Sequence, residues 1–199
     1  MQQWQFAQPP VFSIPSGNFG NICAGLLASK SGLDIKHFVA ACNANDTVPE
    51  YFKTREYQPK KAVATISNAM DVGNPSNFVR ILEMFGKDFD TVAAKITAMS
   101  VNDDDTRKAI KDVNDQKGYL LDPHGAVGYL ALQRYLATHP DDAGIILETA
   151  HPVKFFDVVE PVIGEKIPHP EAIKKIAGLE KKSTVIGGEY AHLKEFLLS

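Results

Sequence analysis

A turn of glycine and small polar residues separates an apolar run from a helical pattern near the start of the chain, in the order Ile14-Pro15-Ser16-Gly17-Asn18-Phe19-Gly20-Asn21. Val11, Phe12 and Ile14 predict a buried strand before this turn, and apolar residues at helical spacing follow it. Two glycines allow the backbone to approach a ligand closely, and the first N–H groups of a helix have no partner within it. The turn therefore predicts an anion site, although a lone Gly-x-x-Gly is more often an ordinary tight turn.

Strand and helix patterns alternate along the rest of the chain. Helices are expected over residues 18–29 and 103–117, and shorter helical segments after residues 47, 74 and 122. Buried strands are expected over residues 37–41 and 144–147. This order predicts an α/β fold with a mostly parallel twisted sheet flanked by helices. Residues 161–170 indicate a loop, and an α+β tail is expected to follow it.

Composition excludes several classes of protein. The 199 residues are 44% hydrophobic and 23% charged, which is typical of a globular chain able to bury one sizeable core. The net charge of -3 gives no electrostatic footprint for nucleic acid, and no apolar run reaches the length of a membrane span, about 20 residues. Cys23 and Cys42 lack the spacing of a metal site, so we expect no metal and reduced, buried thiols in a cytoplasmic protein.

Six segments, taken together, resemble in the same order the later half of threonine synthases. They are residues 16–21 above, Ala44-Asn45-Asp46-Thr47-Val48-Pro49, Ile66-Ser67-Asn68-Ala69-Met70-Asp71-Val72, Pro75-Ser76-Asn77-Phe78, Asp122-Pro123-His124-Gly125-Ala126-Val127-Gly128 and Thr149-Ala150-His151-Pro152-Val153-Lys154-Phe155. The resemblance covers nearly the whole chain. It implies part of the large domain of a fold-type II pyridoxal-phosphate enzyme, a lyase of threonine biosynthesis. Such enzymes convert O-phosphohomoserine and water to threonine and phosphate by β,γ-elimination and replacement.

The resemblance also implies a set of site residues. The glycine turn, Ser16 to Asn21, would bind the phosphate of pyridoxal phosphate, and Thr149 would hydrogen-bond the pyridine nitrogen. Asn77 and Arg80 are candidates for substrate binding, although a surface salt bridge explains Arg80 equally well.

Other polar residues in the matched segments carry less information. Taken by itself, Thr149 is more simply a helix N-cap. His124 and His151 are expected to be structural histidines that bond to backbone or orient a loop. The individual roles of Asn68 and Asp71 are not fixed by sequence.

The lysine that holds pyridoxal phosphate in this family lies upstream of the glycine turn, and no lysine precedes Ser16 here. We therefore expect a threonine synthase truncated on its N-terminal side and inactive by itself. Residues 1–160 would be the C-terminal part of the cofactor-binding domain and residues 161–199 its tail. Its partner would be the N-terminal half of the same enzyme. Because the truncated sheet would lack the elements that pack against it there, we expect exposed apolar surface and self-association. A non-catalytic phosphate or pyridoxal-phosphate binding module and a related pyridoxal-phosphate lyase stay open as alternatives.

Overall fold

The computed structural model describes residues 4–176 and 178–199. The chain divides into two compact units, Met1–Ile167 and Pro168–Ser199. The larger unit contains a four-stranded sheet and seven helices among its described residues. In the smaller unit the described residues form two helices, α8 (Glu171–Lys174) and α9 (Tyr190–Leu198), and none of their side chains is buried.

The sheet of the larger unit is parallel throughout. Its strands are β1 (Val11–Pro15), β2 (His37–Cys42), β3 (Ile96–Ser100) and β4 (Gly144–Ile146). They lie in the order β3-β2-β1-β4, and all three pairings are parallel. The predicted α/β class with a mostly parallel sheet is therefore confirmed. Because all four strands run the same way, the turns that follow them meet at one edge of the sheet.

The helices connect the strands and cover both faces of the sheet. They are α1 (Gly20–Lys30), α2 (Thr47–Thr54), α3 (Phe78–Met84), α4 (Phe89–Ala93), α5 (Asp103–Lys117), α6 (Pro123–Leu136) and α7 (Phe156–Ile163). Two short 3₁₀ turns, Asn68–Met70 and Pro152–Phe155, complete the larger unit.

Two apolar cores lie on opposite faces of the sheet, and β2 contributes to both. Phe38, Ala40 and Cys42 join the core formed with α1 to α4, whereas Val39 and Ala41 join the core formed with α6. Side chains of a strand alternate between its faces, so a strand covered on both sides must be apolar along its whole length. This requirement explains the continuous run of apolar residues that follows His37.

Helix boundaries follow local side-chain chemistry. The Asn102 side chain accepts a hydrogen bond from the N–H of Asp105 at 2.8 Å and caps α5, as expected for an N-cap. Gly118 ends the helix in the left-handed conformation, with φ 62°. Asp122 caps α6 in the same way as Asn102 caps α5, and Pro123 occupies its first turn. The predicted bounds of α5 are therefore confirmed.

Three features of the chain differ from the sequence expectations. Residues 161–163 belong to α7, which contains Pro161, and the loop begins only at Gly164 with φ 76°. Pro161 removes only its own backbone donor, and the N–H of Gly164 still donates to the carbonyl of Glu160 across it at 2.9 Å. The described residues from 164 to 199 contain helices and no strand, so the β part of the expected tail is absent there. Strand β3 and helices α4 and α7 were not predicted.

Both cysteines are buried and unpaired, as expected of reduced thiols. Full burial raises the pKa of the Cys42 thiol far above its usual range, so this residue is inert packing material. Over the described ranges, no helix has the length and apolar character needed to cross a membrane.

The cap of α5 gives a direct test of this architecture. We expect Asn102→Ala to lower the free energy of unfolding by about 1 kcal/mol, because the N–H of Asp105 loses its acceptor. Asn102→Ser is the matched control and should stay close to the wild type. Urea unfolding followed by circular dichroism measures both. Equal stability of Asn102→Ala and the wild type would contradict the capping role.

Candidate cofactor site

A cleft of about 290 Å³ lies at the edge of the sheet where the strands end. Strand β1 pairs with β4, so the glycine turn after β1 and Thr149 after β4 face the same space. The lining residues are Pro15, Gly17, Asn18, Phe19, Gly20, Asn21, Ala69, Met70, His124, Thr149 and Ala150. The structure thus brings together Thr149 and five of the six predicted turn residues.

Backbone N–H groups are the main hydrogen-bond donors of this cleft. Within the described chain, the N–H groups of residues 17 to 21 have no hydrogen-bond acceptor. They surround the first turn of α1, an eleven-residue helix whose dipole also favours a negative charge at this end. No lysine or arginine is among the described residues that line the cleft. An anion bound here would therefore be held by N–H groups and the helix end.

Phe19 carries the unusual backbone conformation of the turn. It adopts φ 62° and ψ 19°, a left-handed conformation that is uncommon outside glycine, asparagine and aspartate. Its ring is buried against Phe78, with centroids 5.6 Å apart. That packing offsets a backbone cost of about 1–3 kcal/mol. Neither Gly17 nor Gly20 has a positive φ, so the glycines are not required here by backbone conformation.

Gly17 is required by close contact instead. A Cβ atom on Gly17 would lie 2.5 Å from the Cα of Met70 and 3.2 Å from the carbonyl oxygen of Ala69. The obstacle is backbone of the 3₁₀ turn Asn68–Met70, which cannot move as a flexible side chain can. A Cβ on Gly20 would find only the amide nitrogen of Asn77 at 3.7 Å, an ordinary contact. The two glycines therefore play different roles.

The segment before α3 holds the glycine turn in place. The Asn18 side-chain oxygen accepts hydrogen bonds from the N–H of Ser76 at 2.7 Å and from its hydroxyl at 3.0 Å. The Asn77 amide donates to the backbone carbonyl of Asn18 at 2.9 Å. Asn77 is therefore engaged behind the turn and does not line the cleft. Arg80 lies on the exposed face of α3 and makes no ion pair within the described residues.

Ser16 also points away from the cleft. Its hydroxyl donates to the carbonyl of Ile14 at 2.8 Å, and its N–H donates to the carbonyl of Ala41. Ser16 is buried and fixes the end of β1. The structure thus places it beside the cleft with its N–H already engaged, and its predicted cofactor contact would require its hydroxyl to leave Ile14.

A buried polar network supports the 3₁₀ turn that contacts Gly17. One oxygen of Asp71 accepts hydrogen bonds from Asn43 at 2.8 Å, Asn45 at 3.1 Å and the hydroxyl of Thr65 at 2.7 Å. Each amide has further partners, so the network leaves its buried polar atoms satisfied. Asp71 directly follows the turn and therefore anchors it to the end of β2, a role that sequence did not reveal.

His124 fixes the same turn from the other side. Its Nε2 accepts the N–H of Ala69 at 3.2 Å, so the ring proton lies on Nδ1, which donates to Asp122 at 2.7 Å. His151 likewise accepts a backbone N–H, from Val153 at 3.1 Å, and caps the 3₁₀ turn Pro152–Phe155. Both geometries match the structural roles expected of these histidines. His151, and not Thr149, is the N-cap.

A larger recess of about 510 Å³ lies against α7, between Phe156, Pro161 and Lys166 among others. It is mainly apolar, and its lining includes neither the glycine turn nor Thr149, so the cleft at the sheet edge is the better candidate. In the part of the chain that the structure describes, no group of three or more His, Cys, Asp or Glu side chains could hold a metal ion.

Comparisons with known proteins agree with this geometry. The chain belongs to the pyridoxal-phosphate-dependent enzyme family, whose family model matches residues 1–148. A second family model, described as threonine synthase, C-terminal, matches residues 125–197. The resemblance to the C-terminal portion of threonine synthases is therefore confirmed.

Individual relatives support the same assignment. Threonine synthase of Haemophilus influenzae is 44% identical over 191 residues, which make up 94% of this chain and 43% of that protein. The crystal structure of threonine synthase from Escherichia coli superposes with a TM-score of 0.87 at 37% identity, covering 99% of this chain and 45% of that one. A pyridoxal-phosphate-bound threonine synthase from Brucella melitensis gives a TM-score of 0.82 at 28% identity, with 96% and 46% covered. This chain thus spans less than half the length of these relatives, and pyridoxal phosphate is confirmed as the cofactor expected of the intact enzyme.

The two glycines of the turn offer a matched pair of variants. We expect Gly17→Ala to lower the free energy of unfolding by about 1–3 kcal/mol, because its Cβ would force apart two backbone segments. Gly20→Ala should be neutral or slightly stabilising. Its Cβ would meet only an ordinary contact, and alanine loses less backbone conformational entropy on folding than glycine does. Chemical denaturation of both variants measures the difference. Equal effects would contradict the packing of Gly17 on Met70.

Proposed function

We propose that this chain is the C-terminal part of a threonine synthase, which converts O-phosphohomoserine and water to threonine and phosphate. The observation that carries the proposal is the cleft itself, which is lined both by Thr149 and by residues 17 to 21, whose N–H groups have no acceptor among the described residues. A phosphorylated pyridine cofactor needs an anchor for its phosphate and a hydrogen-bonding partner for its ring nitrogen, and this edge of the sheet offers both. The similarity to threonine synthases supports the choice of reaction.

Pyridoxal phosphate, when bound, supplies an electron sink for reactions at the carbon atoms next to a substrate amine. In our proposal the glycine turn binds its phosphate through backbone N–H groups, and Gly17 keeps the space open by packing against Met70. Thr149 donates its hydroxyl to the ring nitrogen. A hydroxyl leaves that nitrogen unprotonated, whereas a carboxylate in the same place would favour a protonated ring and a stronger electron sink.

Arg80 and Asn77 would serve the substrate in different ways. The guanidinium of Arg80 has no ion pair among the described residues, which supports a role in binding the phosphate group of O-phosphohomoserine. Asn77 donates an amide hydrogen to the carbonyl of Asn18, so it would serve the substrate indirectly, by holding the glycine turn in place.

The rest of the enzyme would complete the site. No lysine lines the described part of the cleft, so the residue that holds the cofactor covalently would come from the remaining half of the longer protein. Large apolar side chains such as Leu27, Val63 and Val79 are more than half exposed, which supports packing against that half or self-association of this chain by itself. Unpaired, buried cysteines support a cytoplasmic location.

Thr149 can be tested in the protein that includes the remaining half. We expect Thr149→Asp to reduce threonine formation at least tenfold while cofactor occupancy stays near that of the wild type, because the change acts on the ring nitrogen and leaves the phosphate anchor intact. A bulky residue at Gly17 should do the reverse and lower occupancy. Phosphate release and absorbance of the bound cofactor are measured on the same samples.

Thr149→Ser is the control for this experiment, since it keeps the hydroxyl and should retain most of the rate. An unchanged rate in Thr149→Asp would overturn the role of Thr149. Release of phosphate without threonine would instead favour a related lyase, and cofactor binding without turnover in the complete protein would favour a non-catalytic binding module.

The absence of a lysine from the cleft predicts the behaviour of this chain by itself. Pyridoxal phosphate followed by borohydride should label several exposed lysines weakly and none stoichiometrically, because each would react only as a free surface amine. Peptide mapping by mass spectrometry measures the labelling. Stoichiometric modification of a single lysine would contradict the proposal that the covalent anchor belongs to the remaining half.

A further inference from the structure

Glu148 lies directly before Thr149, and its side chain turns back onto α6. A Cβ atom placed on Gly125 would collide with both carboxyl oxygens of Glu148, one of them at 2.6 Å. Gly125 is in the first turn of α6, so only a glycine there lets the carboxyl group pack against the helix start. Glu148 is exposed overall, but its carboxyl group is partly desolvated by burial.

Asp122 is the neighbour that makes this contact chemically distinctive. It is fully buried and accepts three hydrogen bonds, from the N–H of His124 at 2.9 Å, the ring Nδ1 of His124 at 2.7 Å and the N–H of Gly125 at 3.3 Å. Three donors favour the ionised form of a carboxyl group. The Asp122 side chain also hydrogen-bonds Glu148, so the proton between the two carboxyl groups lies on Glu148.

Desolvation of the Glu148 carboxyl by burial raises its pKa to about 7, and the negative charge and hydrogen bond of Asp122 act in the same direction. Glu148 is therefore protonated below neutral pH and ionised above it. Once ionised, two carboxylates face each other at the start of α6, and like charges repel at this separation. The contact between the two segments then weakens.

We propose that Glu148 is a positioning residue, whose protonated carboxyl donates to Asp122 and ties the turn that carries Thr149 to the start of α6. Asp122 also fixes His124, which binds the N–H of Ala69, so one buried carboxylate connects both sides of the cleft. The importance of this tie for cofactor binding rests on the function proposed above. The tie itself is a property of this chain.

Three other titratable groups face this region. Tyr119 is near Glu148, and burial raises the pKa of its phenol, which stays neutral around pH 7. The His124 ring is held between Asp122 and the Ala69 N–H. His151 follows Thr149 by two residues and accepts the N–H of Val153. Because His151 is so close to Thr149, the Glu148→Gln variant is needed to separate the two side chains.

Nuclear magnetic resonance of the ¹⁵N-labelled chain tests the proposal without any cofactor. Amide shifts of Thr149 and Gly125 would be followed from about pH 4 to about pH 9, a range that spans the ordinary carboxyl and histidine values. In the wild type we expect both amides to share one step with a midpoint near 7, against the ordinary glutamate value of 4.5. Glu148→Gln should abolish the step at both positions, because its amide still donates to Asp122 but does not ionise.

Asp115→Asn is the matched control, since it removes a carboxylate from an exposed ion pair on α5 and should leave the step unchanged. A retained, dispersed spectrum shows that each variant is folded. A wild-type step near 4.5, or a step near 7 that survives in Glu148→Gln, would overturn the proposal, the latter assigning the titration to His151. Because neither cofactor nor turnover enters this measurement, its failure leaves the proposed threonine synthase activity standing, and the converse also holds.

Discussion

The packing of Gly17 on the backbone of Met70 is the contact on which the rest of the site depends. It brings the 3₁₀ turn Asn68–Met70 against the glycine turn, and residues 17 to 21, whose N–H groups have no acceptor among the described residues, line the cleft. The left-handed Phe19 adds backbone strain at the same place.

Three separate supports hold this arrangement. Ser76 and Asn77 bind the Asn18 side chain and carbonyl from the α3 side. Asp71 and its amide partners anchor the 3₁₀ turn to the end of β2, and His124 binds that turn from α6. The first two supports come from the connection between β2 and β3, and the third comes from the connection between β3 and β4. The parallel sheet matters to function because it gathers these connections at one edge.

The electrostatics of the cleft also follow from the fold. Its described lining has no lysine or arginine, and the carboxyl groups of Asp122 and Glu148 lie behind it at the start of α6. Binding strength for an anion would therefore come from fixed backbone dipoles, which need no reorganisation when a ligand arrives. The neutral hydroxyl of Thr149 and the neutral ring of His124 fit this low-charge environment. In our proposal, a chain that spans less than half the length of its relatives thus supplies the anchor for a phosphate, while the covalent anchor would come from elsewhere.

Local patterns in the sequence determined the elements with strong chemical signals. Apolar residues defined β1 and β2, and Gly118 and Asp122 marked helix ends by hydrogen bonds that span only a few residues. Strand β3 was not predicted because its mixed side chains do not alternate clearly between apolar and polar, as an edge strand allows. Only the tertiary structure decided that Phe19 takes the left-handed conformation, that Gly17 meets Met70 and that Glu148 meets Asp122. The two contacts join segments that are distant in sequence, and the conformation of Phe19 depends on the balance between backbone strain and burial of its ring. A local sequence pattern determines neither long-range contacts nor this balance.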